Sequence, residues 1–113
     1  MSVRVPLAEL DDQIAVFGPY AYLLTVGDDR RPRATSATVG GEGRELVVGV
    51  GRRTASNVER NDQVTLLWPA AQPSGYALLA DGFGRVEERA DGTLALRIQP
   101  VSAVLHVTAP ARS

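Results

Sequence analysis

The stretch ELVVGVGRRTASNVERNDQVTLLWP, residues 45–69, decides how this chain is read. It opens on a strand-like run of valine and glycine that breaks at Gly51. Two arginines and a threonine follow, then a short segment of helical character, then a second apolar run from Gln63 to Pro69. Backbone N–H groups at a helix start, beside two guanidinium groups, hold an anion well. Ser56 to Glu59 also has the spacing of a capping box, with Thr54 or Ser56 as N-cap, and that signal is purely structural. Taken alone, the stretch fits a phosphate site and a capped surface helix with solvated arginines equally. It is neither a dinucleotide fingerprint nor a P-loop: the third glycine, the flanking βαβ unit and the Gly-Lys pair are all missing.

On either side of this stretch the period of hydrophobicity is two. YAYLLTVG (20–27), RPRATSATVG (31–40), GYALLADGFGRVEE (75–88) and TLALRIQPVSAVLHV (93–107) are rich in valine, leucine, threonine and aromatics, which is strand composition. The last of these supplies one or two strands, with Pro100 at an edge or a break. GDDRR, GGEG and RADG carry the Gly and Asp chemistry of tight turns, so the strands pair as antiparallel hairpins. AAQPSG (70–75) reads as a loop. Before them, Leu7, Leu10, Ile14 and Phe17 share one face of a short helix, which Gly18 and Pro19 end. About six strands in one meander with two small helices predict a single domain over residues 1–113, mainly β, closed or nearly closed into a barrel. Closure also removes the exposed strand edges of so small a protein.

Composition narrows the chemistry. The 113 residues carry a net charge of -1, no cysteine and one histidine, and all twelve basic residues are arginine. Disulfides, thiolate nucleophiles, cysteine-bound metals and lysine Schiff bases are excluded. No metal site is expected, nor a triad, since either would rest on His106 alone. In VLHVT that histidine reads as a strand residue with a local hydrogen bond. Trp68 beside Pro69 reads as core or subunit interface, and the two glycines of DGFG (81–84) as a bulge or a close backbone approach. The charge balance offers nothing to nucleic acid, and no apolar run is long enough to span a bilayer. The start of the sequence lacks the apolar core of a signal peptide, so a cytoplasmic protein is expected.

The order of these pieces resembles the pyridoxamine phosphate oxidase-like, FMN-binding split-barrel family, and most of all its short members. The resemblance runs from about Tyr22 to Val107. It is carried by YLLTVGDDRRPRATSATV, ELVVGVGRRTASNVERNDQVTLLWP and GYALLADGFGRV, with LRIQPVSAVLHV as the closing strand. Its most specific element is the strand, basic residue, Thr or Ser, and then NVERNDQVTLLW.

The resemblance implies a six-stranded antiparallel split barrel that forms a homodimer, with FMN in a groove between subunits. The family's phosphate-binding basic residue and hydroxyl fall on Arg53 and Thr54, with Arg52 as a neighbouring candidate and Asn57 close by. Its ligand-facing hydroxyls on the second strand fall on Thr35 and Ser36, which alternation sends to opposite faces. Val48, Gly49 and Val50 would run beside the isoalloxazine ring. Arginine replaces the usual lysine, which keeps the charge and adds a bidentate fork.

Some relatives bind a deazaflavin instead of FMN, and others bind haem. The chain is far shorter than a pyridoxamine phosphate oxidase, so that reaction is not expected of it. A flavin-dependent oxidoreductase of unknown substrate is the leading expectation, with no side chain marked as catalytic. The alternatives are a flavin-binding or electron-transfer module without turnover and a deazaflavin-dependent reductase, with a flavin-free barrel that binds nucleic acid ranked last.

Overall fold

The computed structural model describes residues 1–107. Strand β1 (Ser2–Val5) leads through a 3₁₀ turn (Leu7–Glu9) into helix α1 (Leu10–Phe17). Strands β2 (Tyr20–Val26), β3 (Pro32–Glu42) and β4 (Glu45–Val50) follow. Helix α2 (Arg52–Arg60) then precedes β5 (Gln63–Trp68), β6 (Tyr76–Glu88) and β7 (Leu94–Val107). The sheet runs β7-β4-β3-β2-β5-β6 and closes by pairing β6 with β7, so six antiparallel strands form a barrel. Every pairing in it is antiparallel, as the short Gly- and Asp-rich turns require.

β1 lies outside the barrel, on β7, with Ser2 opposite His106 and Val5 opposite Ala103. The sequence reading has no strand here. Val3 and Val5 alternate about Arg4, but four residues ended by a proline are too short a run to mark a strand. The extended form is imposed by the partner strand. His106 is placed as expected, its Nδ1 3.0 Å from Ser2 Oγ. The expected capping box is not used. α2 starts two residues before Thr54 and four before Ser56, with Gly51 at the N-cap and no side-chain cap bond.

Alternation sorts the strands into core and surface. Leu23, Val48, Leu66, Trp68, Leu78, Leu96 and Ile98 fill the barrel, each no more than 1% exposed. Trp68 is a core residue, and its Nε1–H donates to the Gly18 carbonyl at 3.0 Å, tying the end of α1 to β5. Leu10 is buried, and Ile14 and Phe17 pack against the same core, while Leu7 stays exposed because the first turn is 3₁₀ and rotates it away.

The DGFG glycines divide their work. The register of β6 on β7 shifts between Asp81 and Gly82, opposite Pro100, so a bulge and the proline coincide. A Cβ on Gly82 would collide with the Gln99 carbonyl oxygen, and one on Gly84 would stand 3.2 Å from Val58 of α2. The first glycine therefore serves the bulge, and the second lets the helix seat on the barrel.

On the outer wall, Arg97 joins Glu42, Glu45 and Glu87, and Arg85 also binds Glu45 at 2.6 Å. The hydrogen bond from Arg85, with Arg97 beside it, holds the Glu45 carboxyl below its ordinary range.

Two outcomes follow. Gly82→Ala should cost about 1–3 kcal/mol in urea unfolding, because backbone must move to admit the methyl. Gly49→Ala, with nothing within 4 Å of its Cβ, should stay within about 0.5 kcal/mol of the parent. A carboxyl whose pKa is lowered by folding stabilises the protein at neutral pH and loses that contribution as pH falls through the lowered value. Melting temperatures taken on acidification from neutral pH should therefore fall less steeply in Glu45→Gln than in the parent.

Candidate functional site

β3 pairs with β2 over residues 32–38, but with β4 only from Val39 to Glu42. The barrel is split along the first half of β3. The Val39 N–H donates to the Pro19 carbonyl at 2.8 Å, which makes residues 19 and 39 a hydrogen-bonded pair. Such pairs alternate along an antiparallel ladder. The main-chain groups of Ala37, Thr35 and Arg33 therefore turn toward β2, and those of Ala34 and Ser36 turn toward the split. This stretch of strand edge has no strand to pair with.

α2 faces the split. Its buried residues are Ala55, Asn57 and Val58, and the face turned to solvent carries Arg52, Arg53, Ser56 and Arg60. These four line a depression of about 650 Å3, together with Asn57, Arg33 and the turn residues Gly27 and Asp28. Four guanidinium groups and one carboxylate make it strongly positive in a chain whose net charge is -1. Arg33 is held by Asp29, with Nη2 to Oδ2 at 2.7 Å. The Asp29 carboxyl is lowered first by the Arg31 backbone N–H and then by Arg33. Among the described ion pairs none involves Arg52, Arg53 or Arg60.

Beside the split, the outer wall is rich in glycine. Gly40, Gly41, Gly49 and Gly51 border a shallow depression of about 690 Å3. Thr38 links it to a neighbouring one that holds Tyr20, Tyr22, Ser36 and Pro69. Tyr20 and Tyr22 are 75% and 46% exposed, which is unusual for aromatics and gives this wall rings at its border.

The residues singled out from sequence are dispersed accordingly. Arg52 and Arg53 stand together in the basic depression. Asn57 reaches it from beneath, 4% exposed, with its amide hydrogen-bonded to Thr25 Oγ1 at 3.4 Å and accepting from Arg60 at 2.6 Å. Thr54 is half-buried on the other side of the helix and is not among the lining residues. Ser36 points outward beside Tyr22. Thr35 points to the opposite face, opposite the buried Leu23. Gly49 and Val50 border the glycine-rich wall, while the Val48 side chain is buried in the core. Arg33, Ser56 and Arg60 are not among the site residues expected from sequence. The spacing of 52, 56 and 60 on one helix face carries the signal for two of them. Among the described residues there is no group of acidic or histidine side chains that could hold a metal. No helix there is long and apolar enough to cross a membrane.

No family model matches the chain. Curated proteins of Mycobacterium bovis and Mycobacterium tuberculosis, both described as uncharacterised, are each 37% identical to it over 100 residues, covering 78% of this chain and 70% of theirs. Among solved structures it is similar to a Clostridium acetobutylicum protein of the pyridoxine phosphate oxidase family, with TM-score 0.72 and 10% identity over 91% of each chain. An F420 reductase superposes with TM-score 0.63 and 16% identity, over 74% of this chain and 87% of that one. A haem storage protein of Vibrio cholerae gives 0.67 and 20%, over 84% and 92%. The chain therefore belongs to one family with these mycobacterial proteins and has the split-barrel fold of the pyridoxamine 5'-phosphate oxidase-like proteins.

Proposed function

We propose that the chain is a cytoplasmic FMN-binding flavoprotein that works as a flavin-dependent oxidoreductase, with a deazaflavin as the alternative cofactor. The observation that carries this reading is the arginine face of α2, whose depression reaches Arg33 at the start of the open edge of β3. The donor set fits such a group. Arg52 and Arg53, which have no carboxylate partner among the described residues, would hold its phosphate by charge-assisted hydrogen bonds. The N–H and C=O groups of Ala34 and Ser36 would pair with the polar rim of a flat ring, much as a strand pairs with an edge. Gly49 and Thr38 leave the adjacent wall low enough for a planar group to lie against it. When bound, a flavin supplies reversible electron transfer, and the protein supplies orientation and electrostatics. This reading assigns no residue as a dedicated proton donor.

A flavin module without turnover uses the same contacts and differs only in assay. NADPH oxidation, or reduction by chemically reduced deazaflavin, is expected of the enzyme alone. A haem role, as in the Vibrio cholerae neighbour, has little support here, because the one histidine lies on β7 and is engaged by Ser2. Nucleic acid binding is disfavoured by the net charge of -1.

The reading includes a homodimer. Tyr22, Leu67, Leu79 and Val104 lie opposite one another on β2, β5, β6 and β7. They form an outward apolar row on a barrel whose inner face is already filled. Tyr22 is exposed and Leu67, Leu79 and Val104 are half-buried, and an apolar row left partly in solvent supports self-association.

Titration with FMN, followed by flavin absorbance and fluorescence, tests the cofactor. Arg53→Ala should weaken binding by about 1.5–3 kcal/mol, or ten- to hundredfold. Absence of any FMN or deazaflavin signal at saturating ligand would refute the reading. Sedimentation equilibrium should give twice the 12.0 kDa chain mass, and Leu67→Arg should shift it to the monomer. A parent protein that sediments as a monomer would remove the dimer.

A further inference from the structure

The basic depression is longer than one phosphate requires. Arg52 and Arg60 are eight residues apart on α2, about 12 Å along the helix axis. A guanidinium at that distance on a solvent-facing helix would ordinarily sample many rotamers, and ordering it costs entropy. Arg60 is instead held in place from below. Its Nη2 donates to Asn57 Oδ1 at 2.6 Å, and Asn57 Nδ2 donates to Thr25 Oγ1 at 3.4 Å. Asn57 and Thr25 are 4% and 5% exposed, so the support is buried between helix and barrel.

The chemistry of that support matters. Arg33 is bound by the carboxylate of Asp29, which cancels its charge locally. Arg60 is bound by a neutral amide, which fixes its direction and leaves the charge uncompensated. One N–H is used by Asn57, and the remaining donors of the fork are free for a ligand. A buried amide that positions a cation without neutralising it fits an anion-binding part better than a stabilising ion pair.

We propose that Arg60, oriented by Asn57, forms a second anion subsite, so that the depression also accepts ligands with a further anionic group beyond the phosphate held by Arg52 and Arg53. This rests on the reading of the depression as a phosphate site. It makes Asn57 a positioning residue and Arg60 the contact. FMN, with one phosphate, fills the first subsite only. A phosphate ester extended by a second phosphate or a carboxylate fills both.

The test is calorimetric titration of the whole protein with inorganic phosphate and, separately, with tripolyphosphate at low ionic strength. Arg52→Gln should weaken both probes. Arg60→Gln should weaken tripolyphosphate about tenfold and leave inorganic phosphate within about twofold. Asn57→Ala should reproduce the Arg60→Gln pattern, and the double variant should lose nothing more, since the two act through one contact. Thermal melting reads any structural cost of Asn57→Ala separately, and if that variant does not fold, Arg60→Gln alone decides. Equal losses on both probes, or none with Arg60→Gln while Arg52→Gln still weakens them, would overturn the second subsite and leave the phosphate site standing. Failure of the parent to bind either probe would overturn both.

Discussion

The contact between Val58 and Gly84 is where the functional architecture is set. α2 crosses the end of the barrel at the distance that a missing side chain on β6 permits, since a Cβ there would stand 3.2 Å from Val58. The Gly84 N–H also donates to the Asp62 carbonyl just beyond the helix, at 2.8 Å. A helix pinned at that depth buries Ala55, Asn57 and Val58, and 3.6-residue geometry then leaves Arg52, Arg53, Ser56 and Arg60 on the outer face. The direction of the arginines is a consequence of apolar packing on the opposite side.

The same placement accounts for the split. β4 ends at Val50 and the chain turns at once into α2, so no strand remains to pair with the first half of β3. An open strand edge is usually a liability, blunted by proline, charge or cover. Pro32 and Arg33 begin this edge, and α2 stands beside it. What remains exposed is a short row of backbone donors and acceptors next to a concentration of positive charge. Neither element alone is a site. Their adjacency follows from the two-residue distance between the end of β4 and the first arginine.

Much of this was legible in the chain, and the exceptions share a cause. Six strands, the turns, α1, the loop at 70–75 and the bulge at Asp81 and Gly82 have local signals: period two, Gly and Asp chemistry, a glycine pair in a strand. β1 has only the brief alternation of Val3 and Val5, too short to mark a strand without its pairing to β7. The capping-box spacing at Ser56 misled because Gly51 already starts the helix and Val58 has to reach Gly84. Tertiary packing set the helix start where local capping chemistry pointed four residues later. Arg33 is not among the expected site residues for a related reason. It lies 19 residues before Arg52, and only the pairing of β2 with β3 and the seat of α2 bring it to the same depression.

The solved structures similar to this chain include an F420 reductase and a haem storage protein. One barrel therefore serves different ligands, as is usual when function is grafted onto a fold. The physical reason is visible in the division of labour here. The barrel core supplies an open strand edge and a low wall, which make no demand beyond a flat partner. Discrimination is left to a few side chains on nine residues of helix and the turn opposite. In this chain those side chains are arginines, two without a carboxylate partner among the described residues and one steadied by a buried amide. These side chains differ from the wall in presenting charge at a fixed spacing rather than a fitted shape.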